Sequence, residues 1–191
     1  MVYDPPMKNT IIASLALAAC PAWGGIEHTR KGAIRVGDLE RTYRIHVPPS
    51  YKKSQPAALL LILHGGGGSG RVMERFTRFS DLSDREGFLA VYPDALGKNW
   101  NDGRGVAAIE SQRKNVDDAG FLGTLLEEIA KVYAVDSQRV YATGISNGAF
   151  MSHYLAFRLS DRIAAIAPVV GGIAEPLRGS FRPERPVSVL I

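Results

Sequence analysis

The residues with the clearest chemical potential in this sequence surround one serine. Residues 144–148 read G-I-S-N-G and fit the pattern G-x-S-x-G, in which a sharp turn between a strand and a helix exposes a serine hydroxyl. Residues 139–143 have the apolar character of a strand, and residues 147–159 predict a helix. The backbone N–H of Asn147 would then face the oxyanion that forms when the serine attacks a carbonyl carbon. The pattern predicts Ser146 as a nucleophile; the alternative is an ordinary strand–helix turn of small residues.

A glycine-rich segment at residues 64–70, H-G-G-G-G-S-G, is the second feature. It follows an apolar run typical of a buried strand and precedes a helical pattern. Glycine lets the backbone approach a developing negative charge, so we expect the N–H of Gly66, or that of Gly67, to be a second oxyanion donor. The same glycines also fit G-x-G-x-x-G, which would indicate a nicotinamide-dependent oxidoreductase. That alternative leaves the serine turn unexplained and lacks a second nucleotide-binding half.

The groups that would activate the serine are missing from this pattern. In sites of this kind an acid and then a histidine follow the nucleophile in the chain. The only histidine after Ser146 is His153, which at about 1.5 Å per helical residue lies about 10 Å away. We expect His64 to shape the glycine segment rather than to act as the base. Asp94 and the pair Asp117-Asp118 are expected to organise loops or cap helices, so no triad can be completed from these residues.

Alternating strands and helices must position these candidates. Residues 34–36 and 43–47 predict a β-hairpin with its turn at Gly37-Asp38, and residues 95–114 have no period and predict a loop. The alternation indicates an α/β fold with a mostly parallel sheet, in which chemistry occurs beyond the carboxyl ends of the strands. Further strands are predicted at 57–63, 88–92, 139–143, 163–169 and from 186, and helices at 72–86, 116–133 and 147–159.

Composition limits the class of protein. The chain has 191 residues, 46% of them hydrophobic, which suits one compact domain. Its single cysteine, Cys20, excludes an internal disulfide and a cysteine-rich metal cluster. The net charge of +4 comes from scattered Lys and Arg residues. Because no basic stripe with interleaved aromatic residues is present, we expect no nucleic-acid partner.

The first 25 residues predict an export signal. The uncharged apolar run at 11–19 follows Lys8 and precedes Pro21, and it is too short to span a bilayer. Residues 17–20 also resemble the lipobox of bacterial lipoproteins, which would attach a lipid to Cys20; the alternative is a plain secretory signal. We therefore expect a secreted or periplasmic protein with a folded domain at 26–191, anchored at the cell surface if Cys20 is lipidated.

With these pieces in place, the sequence resembles secreted α/β-hydrolases of the polyhydroxybutyrate depolymerase and feruloyl esterase group. The resemblance implies a serine esterase that forms an acyl-enzyme on Ser146 and needs no metal or cofactor. It implies hydroxyalkanoate polymer or oligomer substrates, or feruloyl and acetyl esters on polysaccharide. The matching segments are LHGGGGSG at 63–70, YPD at 92–94, WNDGR at 100–104, VDDAGF at 116–121 and YATGISNG at 141–148.

The resemblance also suggests what this chain lacks. Family members continue past the strand matching 186–191 into a segment that carries the triad acid and histidine. The expected structure is thus an α/β-hydrolase fold with an N-terminal hairpin, without its last strand or strands and helix. A catalytically incomplete fragment or a lipid-anchored binding domain is the alternative to an active esterase. His64, Trp100 and Asn101 are expected to line the substrate pocket, with core packing as the alternative for Trp100.

Overall fold

One seven-stranded sheet organises the protein. The computed structural model describes residues 28–180 and 182–190, so the predicted export signal and Cys20 lie outside the described residues. The strand order across the sheet is β1-β2-β4-β3-β5-β6-β7. The strands are β1 Thr29–Val36, β2 Leu39–His46, β3 Ala57–Leu63, β4 Leu89–Pro93, β5 Val135–Ile145, β6 Ala165–Val169 and β7 Ser188–Val189.

The first two strands form the predicted hairpin. They pair antiparallel from Thr29 opposite His46 to Val36 opposite Leu39, and Gly37 in the turn has φ +58°, a conformation that glycine adopts without strain. Strand β2 pairs antiparallel with β4, and all the other strand pairs are parallel. The predicted mostly parallel sheet with an N-terminal hairpin is confirmed.

Strand β3 lies at the centre of the sheet because its sequence is apolar on both faces. Leu59, Leu61 and Leu63 face one layer, where they pack with residues of the helices that follow β4 and β5. Ile62 faces the other layer and packs with Met73. These four side chains have no exposed surface. The carboxyl end of this strand leads directly into the glycine segment.

The described part of the chain contains five α-helices. A short 3-10 turn at Leu96–Lys98 and helix α3 interrupt the stretch that the sequence predicts as a loop. None of the helices in residues 28–180 and 182–190 combines the length and the apolar character needed to cross a bilayer. The helices are α1 Gly70–Thr77, α2 Phe79–Glu86, α3 Glu110–Arg113, α4 Asp118–Val132 and α5 Asn147–Arg158.

The prediction of one helix over residues 72–86 is wrong, because Arg78 divides this stretch into two helices. Arg78 has φ +54° and ends α1, its N–H donating to the Glu74 carbonyl, before α2 starts at Phe79. The Thr77 hydroxyl accepts a hydrogen bond from the Phe79 N–H across the break. The apolar spacing continues through both helices, so periodicity alone does not register a single residue in the left-handed conformation.

Candidate active site

Ser146 lies on the predicted sharp turn, between the last residue of β5 and the first residue of α5. Its backbone has φ 53° and ψ −117°, a region that residues with a Cβ rarely adopt and that costs about 1–3 kcal/mol. The Ser146 N–H donates to the Val169 carbonyl, 3.0 Å away, which holds the turn against β6. The side chain of Ser146 is exposed. Such strain is found mainly at functional sites.

Glycines on both sides of Ser146 are required by the packing. A Cβ added to Gly144 would lie 2.5 Å from the Gly148 carbonyl oxygen. A Cβ on Gly148 would overlap the Leu63 carbonyl oxygen and lie 2.7 Å from that of His64. Apart from the Leu63 Cβ, 2.9 Å from the position on Gly144, the obstructing atoms belong to the backbone, so they cannot move aside as the end of a flexible side chain can. The pattern G-x-S-x-G thus records the close approach of α5 to the end of β3.

The glycine segment passes beside this turn. A Cβ built on Gly65 would lie 3.7 Å from the Ser146 Cβ, and one built on Gly66 would lie 3.9 Å from the Asn147 Cβ. The Gly67 N–H donates to the Lys98 carbonyl at 2.9 Å. Because this N–H is already hydrogen-bonded, Gly66 is the better placed of the two predicted glycine donors.

Two backbone N–H groups remain available beside Ser146. Within residues 28–180 and 182–190 the N–H of Gly66 has no hydrogen-bond partner. The N–H of Asn147 belongs to the first turn of α5, where backbone N–H groups have no intrahelical acceptor. Both groups lie at the positive end of the α5 dipole, which favours a negative charge at this position.

The Asn147 side chain is buried and fully engaged. Its Oδ1 accepts from the Trp100 N–H at 2.7 Å. Its Nδ2 donates to the Trp100 carbonyl at 3.1 Å and to Asp102 Oδ2 at 2.6 Å. The sequence does not mark Asp102 as a site residue, because its partner lies 45 residues later and no local pattern connects the two. The only available signal was the short polar run WNDGR in a stretch without periodicity.

The three side chains predicted to line a substrate pocket instead hold the surrounding loops. Trp100 has no exposed surface, and its indole Nε1–H donates to the His64 carbonyl at 2.9 Å. His64 is also buried; its Nδ1 donates to the Gly65 carbonyl and its Nε2 accepts from the Ala95 N–H. Asn101 donates through Nδ2 to the Val116 carbonyl. The burial of Trp100 agrees with the core-packing alternative, and the two hydrogen bonds of the His64 ring agree with a loop-shaping role.

None of the chain's four histidines is placed to activate Ser146. His46 contacts Thr29 and Asp84, and His28 packs against the His46 ring at the open end of the hairpin. His153 is buried on α5, and burial lowers its pKa below the ordinary value. Burial likewise lowers the pKa of His64, although the hydrogen bond to the Gly65 carbonyl favours the protonated ring. In the part of the chain that the structure describes, the Ser146 hydroxyl has no hydrogen-bond partner.

The carboxylates have the structural roles that the sequence predicts. Asp94 accepts from the Gly70 N–H at 2.7 Å, at the start of α1. Asp117 caps α4 by accepting from the Gly120 N–H at 2.9 Å. Among residues 28–180 and 182–190 there is no group of three or more His, Cys, Asp or Glu residues arranged to hold a metal ion.

Asp118 is buried and paired with the equally buried Arg41 at 2.6 Å. It also accepts from the Asn101 N–H at 2.7 Å, which fixes the loop beside the active site. Burial raises the pKa of Asp118, although Arg41 and the Asn101 N–H favour the charged form. No pattern in the sequence indicates Arg41, because the pair joins residues 77 positions apart.

Comparison with known proteins connects this geometry to a family. Residues 41–176, more than half of the chain, match the family model described as Esterase PHB depolymerase. The chain belongs to this family. The matched range includes the glycine segment and Ser146, so the whole candidate site lies within the part of the chain that matches the esterase PHB depolymerase family. The predicted resemblance is confirmed.

Individual relatives of this esterase PHB depolymerase member are also esterases by name. A protein described as an esterase, NocK from Nocardia uniformis subsp. tsuyamanensis, is 31% identical over 161 residues, covering 81% of this chain and 44% of the relative. Feruloyl esterase B from Piromyces equi is 28% identical over 152 residues, covering 76% of this chain and 27% of the relative. The chain therefore spans less than half the length of these relatives.

Solved structures confirm the predicted α/β-hydrolase fold. The structure of the acetyl xylan esterase from Aspergillus awamori superposes with a TM-score of 0.60 at 20% identity. The superposition covers 76% of this chain and 52% of that one. At this level of identity the likeness concerns the fold alone.

Proposed function

We propose that this chain carries the nucleophile and the oxyanion hole of a serine esterase. The observation that carries the proposal is the strained, exposed Ser146 beside the unbonded N–H of Gly66. The strained turn, with a glycine packed on each side, exposes the Ser146 hydroxyl so that it can attack a substrate. The family to which the chain belongs supports the same reaction.

The reaction proceeds in two steps. The Ser146 oxygen attacks the ester carbonyl carbon and loses its proton to a base. The carbonyl oxygen becomes an oxyanion, which the N–H groups of Gly66 and Asn147 stabilise. The C–O bond to the alcohol then breaks, the alcohol takes the proton, and an acyl-enzyme remains. Water attacks the acyl group in the same way and releases the carboxylic acid and the serine.

The general base is the part of this mechanism that the four histidines do not supply. His64 and His153 are both buried, one at the start of the glycine segment and the other on α5. A serine hydrolase without its base keeps about 10³–10⁴-fold catalysis over water from the oxyanion hole and substrate binding. We therefore expect weak turnover from this chain alone. The sequence leaves open an active esterase and a catalytically incomplete fragment. The same site would serve both, and they would differ only in how fast it turns over substrate.

The substrate class and location are further parts of the proposal. Relatives named as feruloyl and acetyl xylan esterases, together with the family description, favour acyl esters linked to a polysaccharide or a hydroxyalkanoate polymer. We further propose that residues 1–25 are an export signal and that the folded domain comprises residues 26–191. Lipidation of Cys20 would hold the enzyme at the cell surface.

An external base provides the test. The purified chain would be assayed with p-nitrophenyl acetate while imidazole is titrated into the buffer, because imidazole can occupy the open side of Ser146 and take its proton. The same titration with Ser146→Ala measures the direct reaction of imidazole with the ester. Ser180→Ala is a matched control, since Ser180 is also an exposed serine and lies outside the site.

We expect the imidazole-dependent rate to exceed that of Ser146→Ala in both the unchanged chain and Ser180→Ala. Equal rates in all three proteins would refute Ser146 as the nucleophile. A high rate without imidazole that Ser146→Ala abolishes would support the nucleophile and contradict the missing base.

A further inference from the structure

We propose that residues 98–102, here called the clamp, set the spacing between the two oxyanion donors, with Trp100 and Asp102 as positioning residues. This inference rests on the proposed function, because it concerns the N–H groups of Gly66 and Asn147. These two donors come from separate parts of the chain, the end of β3 and the start of α5. The close contact of Gly148 with the carbonyls of Leu63 and His64 sets how near α5 lies to β3, and the clamp adds the hydrogen bonds that hold Gly66 and Asn147 in place.

The clamp holds the glycine segment on both sides of Gly66. Before Gly66, the indole Nε1–H of Trp100 donates to the His64 carbonyl at 2.9 Å, and the two rings lie 5.0 Å apart. After Gly66, the Lys98 carbonyl accepts from the Gly67 N–H at 2.9 Å. Gly66 is thus suspended between two hydrogen bonds to the clamp, and its own N–H stays free.

The same clamp holds the serine turn through the Asn147 side chain. The backbone of Trp100 makes a reciprocal pair of hydrogen bonds with that amide, at 2.7 and 3.1 Å. Trp100 is therefore bonded to the His64 side of the site through its indole and to Asn147 through its backbone. Asn147 therefore has two roles. Its backbone N–H is the oxyanion donor, and its side-chain amide holds that N–H in position.

Asp102 fixes the far end of the clamp. Its carboxylate has no exposed surface and accepts from Asn147 Nδ2 at 2.6 Å and from Gln112 Nε2 at 2.9 Å. Arg104 pairs with it at 2.7 Å and lies over the Phe150 ring at 4.1 Å, one turn further along α5. Charge-assisted hydrogen bonds of this kind are roughly twice as strong as neutral ones, so Asp102 locks the clamp onto the nucleophile's helix.

Small changes in this spacing have large kinetic effects. An oxyanion donor acts at about 2.7–3.1 Å from the developing charge, and a misplacement of about 1 Å can reduce a rate about 10²-fold. Substrate binding in the ground state depends much less on the donors. Loosening the clamp should therefore lower the maximal rate and leave KM almost unchanged.

Trp100→Phe tests the clamp, since it keeps an aromatic ring and removes the indole N–H. Tyr92→Phe is the matched control: Tyr92 is also a buried aromatic residue, and it loses a polar hydrogen bond to Ser80 away from the site. Imidazole-supported hydrolysis of p-nitrophenyl acetate would be measured below the unfolding temperature of both variants. In parallel, ¹H–¹⁵N NMR would record the amide signals of Gly66 and Asn147 without substrate.

We expect Trp100→Phe to lower the Ser146-dependent maximal rate about tenfold to a hundredfold, with KM within about twofold, and to shift or broaden both amide signals. Tyr92→Phe should leave rate and signals unchanged. A rate equal to that of the unchanged chain, or an equal loss in both variants, would overturn the clamp. If the unchanged chain shows no Ser146-dependent rate, the proposed function fails and the amide signals still decide: unchanged signals in Trp100→Phe refute the positioning.

Discussion

Replacing Gly148 by alanine probes the contact on which the serine turn depends. Gly148 lies in the first turn of α5, next to the end of β3. An added Cβ would overlap the Leu63 carbonyl oxygen and lie 2.7 Å from the His64 carbonyl oxygen. Ordinary contact between such atoms begins near 3.4 Å, so α5 must move away from β3 by several tenths of an ångström or more.

Two opposing effects determine the size of the change in stability. Overpacking in a well-packed interior costs about 1–3 kcal/mol, and occasionally more; the upper end applies here because both obstructing atoms are backbone. Alanine is a better helix former than glycine by about 0.8–1.0 kcal/mol. The net expectation for Gly148→Ala is a loss of about 2 kcal/mol in the free energy of unfolding.

A second glycine in a helix provides the control. Gly123 lies within α4, and a Cβ there would meet only side-chain atoms, the nearest being Leu159 Cδ2 at 3.4 Å. Gly123→Ala should therefore gain about 1 kcal/mol from helix propensity alone. Both variants would be measured by urea unfolding, with the slope of the transition compared to confirm that the denatured states match.

The two variants should change stability in opposite directions. Gly148→Ala should also reduce Ser146-dependent hydrolysis, because the displacement of α5 carries the Asn147 N–H away from Gly66. A Gly148→Ala protein as stable as the unchanged chain would refute the argument that G-x-S-x-G is imposed by backbone contact.

Three further predictions concern buried charge, pH and strain. Arg41→Met should reduce the free energy of unfolding by about 3–5 kcal/mol, measured by urea unfolding, because it leaves the buried Asp118 carboxylate without its partner. Lowering the pH from about 7 to about 5 should reduce the free energy of unfolding. Burial lowers the pKa of His64 and His153 in the folded protein, whereas unfolded histidines titrate near 6.5. The unfolded chain therefore binds more protons in this pH range, which favours unfolding. Val170→Gly should raise stability by about 1 kcal/mol, because Val170 has φ +57° and is 79% exposed, and relief of about 1–3 kcal/mol of strain exceeds the added entropy of an unfolded glycine.

Each of these predictions has a contradicting result. A loss from Arg41→Met no larger than that from Arg178→Met, which breaks an exposed pair, would mean that burial of the Arg41 pair has no special effect. A pH dependence unchanged in His153→Leu would remove that histidine from the explanation. A destabilised Val170→Gly would show that the residue makes favourable contacts.

The sequence predicts the sheet and the serine turn because both depend on local patterns. Continuous apolar residues specify a strand buried on both faces, as in β3, and G-x-S-x-G specifies the turn at Ser146. The position of the glycine segment follows from the parallel sheet, whose strands β3 and β5 end side by side. These inferences need only periodicity and the rules of strand connection.

Other features depend on contacts between distant residues and could not be predicted. The Asp102 bond to Asn147 and the Arg41 pair join parts of the chain separated by 45 and 77 positions. The choice of Gly66 over Gly67 depends on a single hydrogen bond to Lys98. The sequence leaves Trp100 either in the substrate pocket or in the core, and only the contact of its indole N–H with the His64 carbonyl favours the core.

Detection of an acyl group on Ser146 would test the central claim most directly. The chain would be incubated with p-nitrophenyl acetate in buffer containing imidazole, quenched in acid, digested and analysed by mass spectrometry, with Ser146→Ala treated in parallel. The account predicts one acetylated peptide, the one that contains Ser146, and its loss in Ser146→Ala. Acetylation confined to other residues, or present to the same extent in both proteins, would contradict it.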